Sequence, residues 1–355
     1  MKVRQIMTAL GKVFLFSVLS ALQLYATADD FTVGGITVPR GERVSGFIRV
    51  PEGMDEGTII PVTIVHGASD GPVLALVAGI HGYEYPPITA LQAMRTQVDP
   101  AALSGTIILV HIANMPAFLG RTIYYSPGDG KNLNRMFPGD PDGSVSQRIA
   151  HILTTEVIDQ ANYLVDLHGG DGNEALRPYV YMPVTGNAIF DSKTEGLAVA
   201  FGLDHIVVDT GPQHANGPSL FTDQTALERG IPAITTETGK SGSNAPHWVG
   251  LAERGIWNVL RHLDMIVEDE VINTGITWLG DYEVIRSPRS GIFRAFIKDG
   301  YYVAEDAMLG VLVDFFGNEL LTIRAPFAGV VNYVISTPPV NEGEPVAMIS
   351  KVVER

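Results

Sequence analysis

No cysteine occurs anywhere in this chain. Disulfides, thiolate metal sites and cysteine nucleophiles are excluded, and any bound metal has to rest on imidazole and carboxylate. Cations are scarce too: 24 lysines and arginines face 39 acidic residues, giving a formal charge of −15. Such a chain suits neither nucleic acid nor an anionic membrane, whereas a local arginine clamp still suits a small carboxylate at contact distance. Long hydrophobic runs are also missing. The amino-terminal run Val13–Leu22 is too short for the roughly 20 residues that span a bilayer. It follows Lys2, Arg4 and Lys12 and precedes Ala26-Thr27-Ala28, the layout of a cleavable secretory signal. Removal of residues 1–28 takes away three cations and no acid, so the mature chain carries −18. The expectation is a periplasmic or secreted protein with no membrane attachment after cleavage.

What is present is an ordinary globular composition, 46% hydrophobic and 18% charged over 355 residues, enough for two domains. One stretch organises it. Leu74-Ala75-Leu76-Val77-Ala78 reads as a central strand covered on both faces, and it runs through Gly79 into His81 and Glu84. Pro86 and Pro87 pre-set a helix that keeps Ile88, Leu91 and Met94 on one face. Before it, Phe31–Val33, Val44–Val50 and Ile59–Val65 read as short strands. After it, Gly105–Asn114 reads as a strand ending in Asn, and Met115–Gly143, rich in Pro, Gly, Asp and Tyr, as one long functional loop. Helical spacing over 144–161 leads into the strand Tyr163–His168. Further helices are expected over 194–201, before Gly230 and over about 247–267, with strands at His205–Val208 and Ile231–Gly239. Strands alternating with helices predict an α/β domain over 29–274, its mixed sheet flanked by helices. From 275 to 355 the pattern is β throughout. Pro288-Arg289-Ser290-Gly291 recurs as Pro326-Phe327-Ala328-Gly329, which predicts a barrel-sandwich-like domain of two interleaved hairpin units. No lysine lies between Lys298 and Lys351, so a carrier role does not follow.

Three strand ends thus present His81 with Glu84, then His168, then Glu237. Two imidazoles and a carboxylate are what hydrolytic zinc takes, leaving a place for water. A further carboxylate has to move that water's proton, and Glu237 fits the role. The competing reading of His81 and Glu84 is a hydrogen-bonded histidine near a surface glutamate, since nine histidines among 39 acids make about one such pair by chance. Asp166 alternates onto the face of His168 and suits either an orienting acceptor or a loop cap. Asn134-Arg135, beside Pro138-Gly139, can clamp a carboxylate; a solvated loop charge is the alternative. His111, His205 and His214 have no motif around them and read as structural, and the tyrosines at 83, 85, 124 and 125 as packing or pocket lining.

Taken together, Gly79-Ile80-His81-Gly82-Tyr83-Glu84-Tyr85, Asn132-Leu133-Asn134-Arg135-Met136-Phe137-Pro138-Gly139, Asp166-Leu167-His168-Gly169 and Thr236-Glu237-Thr238-Gly239 resemble the succinylglutamate desuccinylase and aspartoacylase family of zinc carboxypeptidase-like hydrolases. The resemblance implies a zinc-carboxypeptidase-like fold and one Zn²⁺ per chain, on His81, Glu84 and His168. It implies Glu237 as general base and proton donor, and Asn134 and Arg135 as holders of the substrate carboxylate. Relatives often carry a second arginine where this chain has Ile123, so Arg121 becomes the candidate for the oxyanion. The implied activity is hydrolysis of an N-acyl amino acid. A metallocarboxypeptidase acting on short peptides and a non-catalytic small-acid-binding protein are the alternatives. The expected partner is a small carboxylate-bearing substrate, and a homo-oligomer is left open.

Overall fold

The computed structural model describes residues 30–210, 220–271 and 273–355; residues 1–28 and His214 lie outside these. The chain opens with a hairpin, β1 (Phe31–Val33) and β2 (Ile36–Val38), and an antiparallel edge pair, β3 (Glu42–Val50) and β4 (Thr58–His66). β5 (Ser69–Ala78) follows, with Leu74 to Ala78 fully buried. Its continuous apolar run is explained by cover on both sides. Leu74, Leu76 and Ala78 face Ile88, Leu91 and Met94 of α1 (Tyr85–Gln97), while Ala75 and Val77 face Leu133, Phe137 and Ile149. β6 (Ser104–Val110) runs parallel to β5.

Residues 115–143 are not one loop. Asn114 accepts from the backbone N–H of Ala117 at 3.2 Å and so starts α2 (Met115–Gly120), and a short 3₁₀ turn follows at Leu133–Arg135. The helical pattern after Gly143 is α3 (Val145–Ile152), opened by a capping box between Ser144 and Gln147 and extended by tighter and wider turns to Gln160. Next come β7 (Tyr163–His168), β8 (Glu174–Leu176), β9 (Tyr179–Pro183), α4 (Ala188–Phe201), β10 (His205–Asp209), α5 (Thr222–Glu228), β11 (Ala233–Glu237) and α6 (Pro246–His262).

β12 (Thr277–Arg286) pairs in parallel with β10 and antiparallel with a later strand, so the carboxyl-terminal β region joins the main sheet directly. That region holds β13 (Gly291–Ala295), β14 (Tyr302–Val303), β15 (Met308–Val313), β16 (Glu319–Arg324), β17 (Gly329–Ile335), β18 (Pro339–Val340) and β19 (Pro345–Val352). The two repeat copies lie in different sheets: β13 belongs to the four-stranded antiparallel sheet β16-β15-β13-β18, β17 to the large one. Phe293 and Leu312 from the first and Val331 and Ile349 from the second share one core.

The large sheet has thirteen strands, with β11, β7, β5 and β6 mutually parallel at its centre. α1, α4 and α6 cover one face, α3 and α5 the other. The carboxyl ends of β5, β7 and β11 therefore open at one place, where parallel sheets gather ligands.

Candidate metal centre

His168 is the last residue of β7 and stands in register with Glu237, the last of β11. His81 and Glu84 lie in the turn leaving β5, next to β7. Glu84 occupies the capping position of α1 but makes no side-chain cap, which leaves both carboxylate oxygens free to face the histidines. Oε1 lies 2.7 Å from His81 Nδ1 and Oε2 lies 2.8 Å from His168 Nδ1. One ligand atom from each of the three residues falls within 4.8 Å of the other two, and the residues are 8, 2 and 3% exposed.

The far nitrogens of the rings are held as well. His81 Nε2 meets Asn132 Oδ1 at 3.1 Å and His168 Nε2 meets Asp166 Oδ2 at 3.1 Å. An acceptor at each Nε2 selects the tautomer with its proton there, so both Nδ1 lone pairs turn toward a carboxylate. Two lone pairs and an anion facing one another call for a cation. The close approach of Glu84 Oε2 to His168 also lacks hydrogen-bond alignment, and that oxygen is buried without a hydrogen-bond partner. The donor set of two imidazole nitrogens and a carboxylate fits zinc. Burial would raise the pKa of Glu84, yet the two imidazoles outweigh it and hold it at about 2. His168 is pushed well up by Glu84 and Asp166 against the opposing effect of burial.

Glu237 keeps part of its surface open while its Oε2 is buried and unpartnered. Burial raises its proton affinity well above the usual carboxylate range; His168 opposes this, and Glu84, Glu174 and Asp166 add to it. Asn134 is also in the site. Its Oδ1 accepts from Thr222 N at 3.1 Å, fixing the start of α5, while its Nδ2 stands 3.5 Å from His168 Nε2. Arg135 is exposed beside it, with its guanidinium 4.4 Å from the Phe221 ring centroid and Nη1 donating to Asn134 O. It feels the charge of Arg286 on β12 and lies among Tyr125, Tyr181 and Tyr282. Arg121 is not gathered with the others. It sits exposed in left-handed conformation (φ 51°) at the end of α2, with Tyr85 in its electrostatic reach. His111 is buried on Thr63 Oγ1 at 2.8 Å, and His205 pairs with Asp204, both away from the centre.

Sequence reasoning passed over Asn132 as an orienting group, the acidic turn Asp171–Glu174, the edge-to-face pair Tyr179 and Tyr181, and Arg286. Asn132 offered a signal, since it lies inside the quoted Asn-Leu-Asn-Arg run. The others become site residues only through tertiary pairing.

The class defined by fold and site is a mixed α/β protein with a His-Glu-His triad of metal-ligating geometry at the carboxyl ends of parallel strands, with a buried carboxyl alongside. Residues 70–263 match the succinylglutamate desuccinylase/aspartoacylase catalytic domain. The chain is 32% identical over 321 residues to the N-alpha-acetyl-L-2,4-diaminobutyric acid deacetylase of Halomonas elongata, covering 87% of this chain and 92% of that one. Among solved structures, a succinylglutamate desuccinylase/aspartoacylase from Rhodobacter sphaeroides superposes with a TM-score of 0.79 at 27% identity, covering 88% of this chain and 96% of that one. The product-bound ectoine utilization protein EutE (DoeB) of Ruegeria pomeroyi gives 0.79 at 25% identity, covering 88 and 97%. This chain belongs to the succinylglutamate desuccinylase/aspartoacylase family.

Proposed function

We propose that this chain is an exported, zinc-dependent deacylase that hydrolyses the amide bond of an Nα-acyl amino acid, with one zinc per chain. The observation that carries this reading is the meeting of His81, Glu84 and His168 beside Glu237, whose Oε2 is buried without a partner. The two Nδ1 atoms and the Glu84 carboxylate would hold the ion, which when bound supplies Lewis-acid polarisation of a carbonyl and acidifies water. Glu237 takes the proton of the attacking water and returns it to the leaving amine. Its raised proton affinity suits a group that has to give a proton as well as take one.

Arg135 receives the carboxylate of the amino acid through its planar fork, with the side-chain amide of Asn134 and the guanidinium of Arg286 as further donors. Arg121 is kept as the oxyanion candidate on its place in the sequence alone, the alternative being that the metal serves the oxyanion by itself. The catalytic part, to about residue 274, is read as carboxypeptidase-like and the remainder as barrel-sandwich-like.

The relative named for N-alpha-acetyl-L-2,4-diaminobutyric acid supports an acetylated diamino acid as the first substrate to try. The test offers the mature, zinc-loaded protein Nα-acetyl-diaminobutyrate, N-acetyl and N-succinyl acidic amino acids, and short peptides, and measures free amine. Release from acylated amino acids is expected. Turnover of peptides alone points to the peptidase, and ligand binding without any turnover overturns the enzyme. Export is tested on protein recovered from the cell: a chain starting at Asp29 supports it, and one retaining Met1 removes it.

A further inference from the structure

The turn Asp171–Glu174 takes no part in that chemistry, yet it is tied to the centre and to the carboxyl-terminal region at once. Glu174 begins β8, which pairs with β17 so that Glu174 lies opposite Ile335, and Ser336 N donates to Asn173 O at 2.7 Å. From the other side of the turn three groups grip Tyr124. Asp171 Oδ2 accepts from its backbone N–H at 3.0 Å. Its hydroxyl lies 2.7 Å from Asn173 Oδ1 and 2.8 Å from Glu174 Oε1.

Tyr124 needs such a grip, because its φ of 57° is left-handed backbone that a side chain of this size seldom adopts. Held in this way, its ring stands edge-on to the imidazole of His81, with centroids 5.8 Å apart and planes at 87°. The polar contacts of His81 run through Nδ1 to Glu84 and Nε2 to Asn132, along one axis of the ring. The ring of Tyr124 adds a contact from outside that line, against the His81 ring itself.

We propose that Tyr124 is a positioning residue that fixes the ring plane of His81 for metal binding, and that the carboxyl-terminal β region acts on the centre through it, by way of β17, β8 and the Asn173–Glu174 turn. The inference rests on His81 being a ligand, as read above. One phenolic proton cannot serve two acceptors. Burial pushes the Glu174 carboxyl up to about 7, so a neutral Glu174 can donate to Tyr124 Oη while Tyr124 donates to Asn173. A glutamine at 174 can donate from the same place.

The experiment measures Zn²⁺ affinity of metal-free protein by competition with a chromogenic chelator, with a thermal melt of each variant to establish folding. Tyr124→Phe keeps the ring and opens the latch. It should weaken zinc binding roughly 10-fold, the low end of the cost of losing an outer partner of a ligating imidazole, because the ring itself stays. Glu174→Gln should stay within about threefold of wild type, whereas Glu174→Ala should show part of the Tyr124→Phe loss, since the bond to Asn173 is left. Combining Glu174→Ala with Tyr124→Phe should add nothing further, because Tyr124→Phe already breaks the bond that Glu174→Ala removes. Wild-type affinity in Tyr124→Phe, or additive losses in the double variant, overturns the proposal and leaves the hydrolase reading intact. Weakened zinc binding in Tyr124→Phe, together with a wild type that binds zinc but hydrolyses no acylated amino acid, upholds the latch and ends the hydrolase. A wild type that takes up no zinc overturns both.

Discussion

Glu84 shows how much of the site one residue carries. Its two oxygens face two imidazoles, and its position ahead of α1 would be a capping position had the side chain turned inward. Glu237 differs in having no ligand to face and an oxygen without a partner. Glu237→Gln should therefore keep zinc stoichiometry and lose roughly 10²- to 10⁴-fold in kcat, the usual worth of a positioned acid or base. Metal analysis beside steady-state kinetics checks this, and near-normal turnover would move the base elsewhere. Asp223 is a residue away from the triad whose titration bears on stability. Burial, with Asp166 and Asp209 adding like charge, lifts its pKa from 3.8 to about 6. Between those values the folded chain keeps a proton that the unfolded chain has already released, so the stability is present below pH 3.8 and lost as pH rises to about 6. Asp223→Asn, neutral throughout, should gain on the order of 2–3 kcal/mol over wild type on going from pH 4 to pH 7. Urea melts at both values test this; parallel changes in the two proteins would contradict it.

At the scale of elements, the site depends on how closely the turns approach their neighbours. Each metal-facing histidine is followed by a glycine for a steric reason. A Cβ on Gly82 would lie 2.2 Å from Ala117 O in α2, and one on Gly169 would lie 2.2 Å from Thr238 O after β11. Both obstacles are backbone, which cannot swing aside. Gly82→Ala should push α2 and the His81 turn apart, cutting zinc affinity at least tenfold, and a chelator competition at unchanged affinity would show that the turn has slack. Long buried strands were legible in the sequence for the same physical reason that they position the site: β5, β6, β7 and β11 are apolar runs that stop on a polar residue. β8 and β9 were not legible. Glu-Ala-Leu and Tyr-Val-Tyr-Met-Pro are short, lie between Gly, Arg and Pro, and gain their strand character from partners far away in sequence, β17, β10 and β11. α2 was hidden for a different reason, being a six-residue helix held by the Asn114 cap within a Pro- and Gly-rich stretch.

Across the whole molecule, the backbone ladder β10-β12-β19-β17 makes the carboxyl-terminal region part of the large sheet. That continuity lets β17 reach β8 and brings Arg286 toward Arg135. Composition could mark where the β-rich region begins, and the half-repeat its two units. Neither could reveal that strands would cross that boundary, because pairing at this distance leaves no local pattern. The triad was legible because each member closes or follows an apolar run; Arg286, and Tyr124 as more than pocket lining, were not, because their neighbours are set by the tertiary fold alone. Among the described residues no helix is long and apolar enough to cross a membrane. The central claim is tested most directly by following hydrolysis of Nα-acyl amino acids by the purified mature protein, with bound metal quantified, before and after exhaustive chelation. The account predicts about one zinc per chain, abolition of turnover on its removal and recovery on its return; full turnover by verified metal-free protein would contradict it.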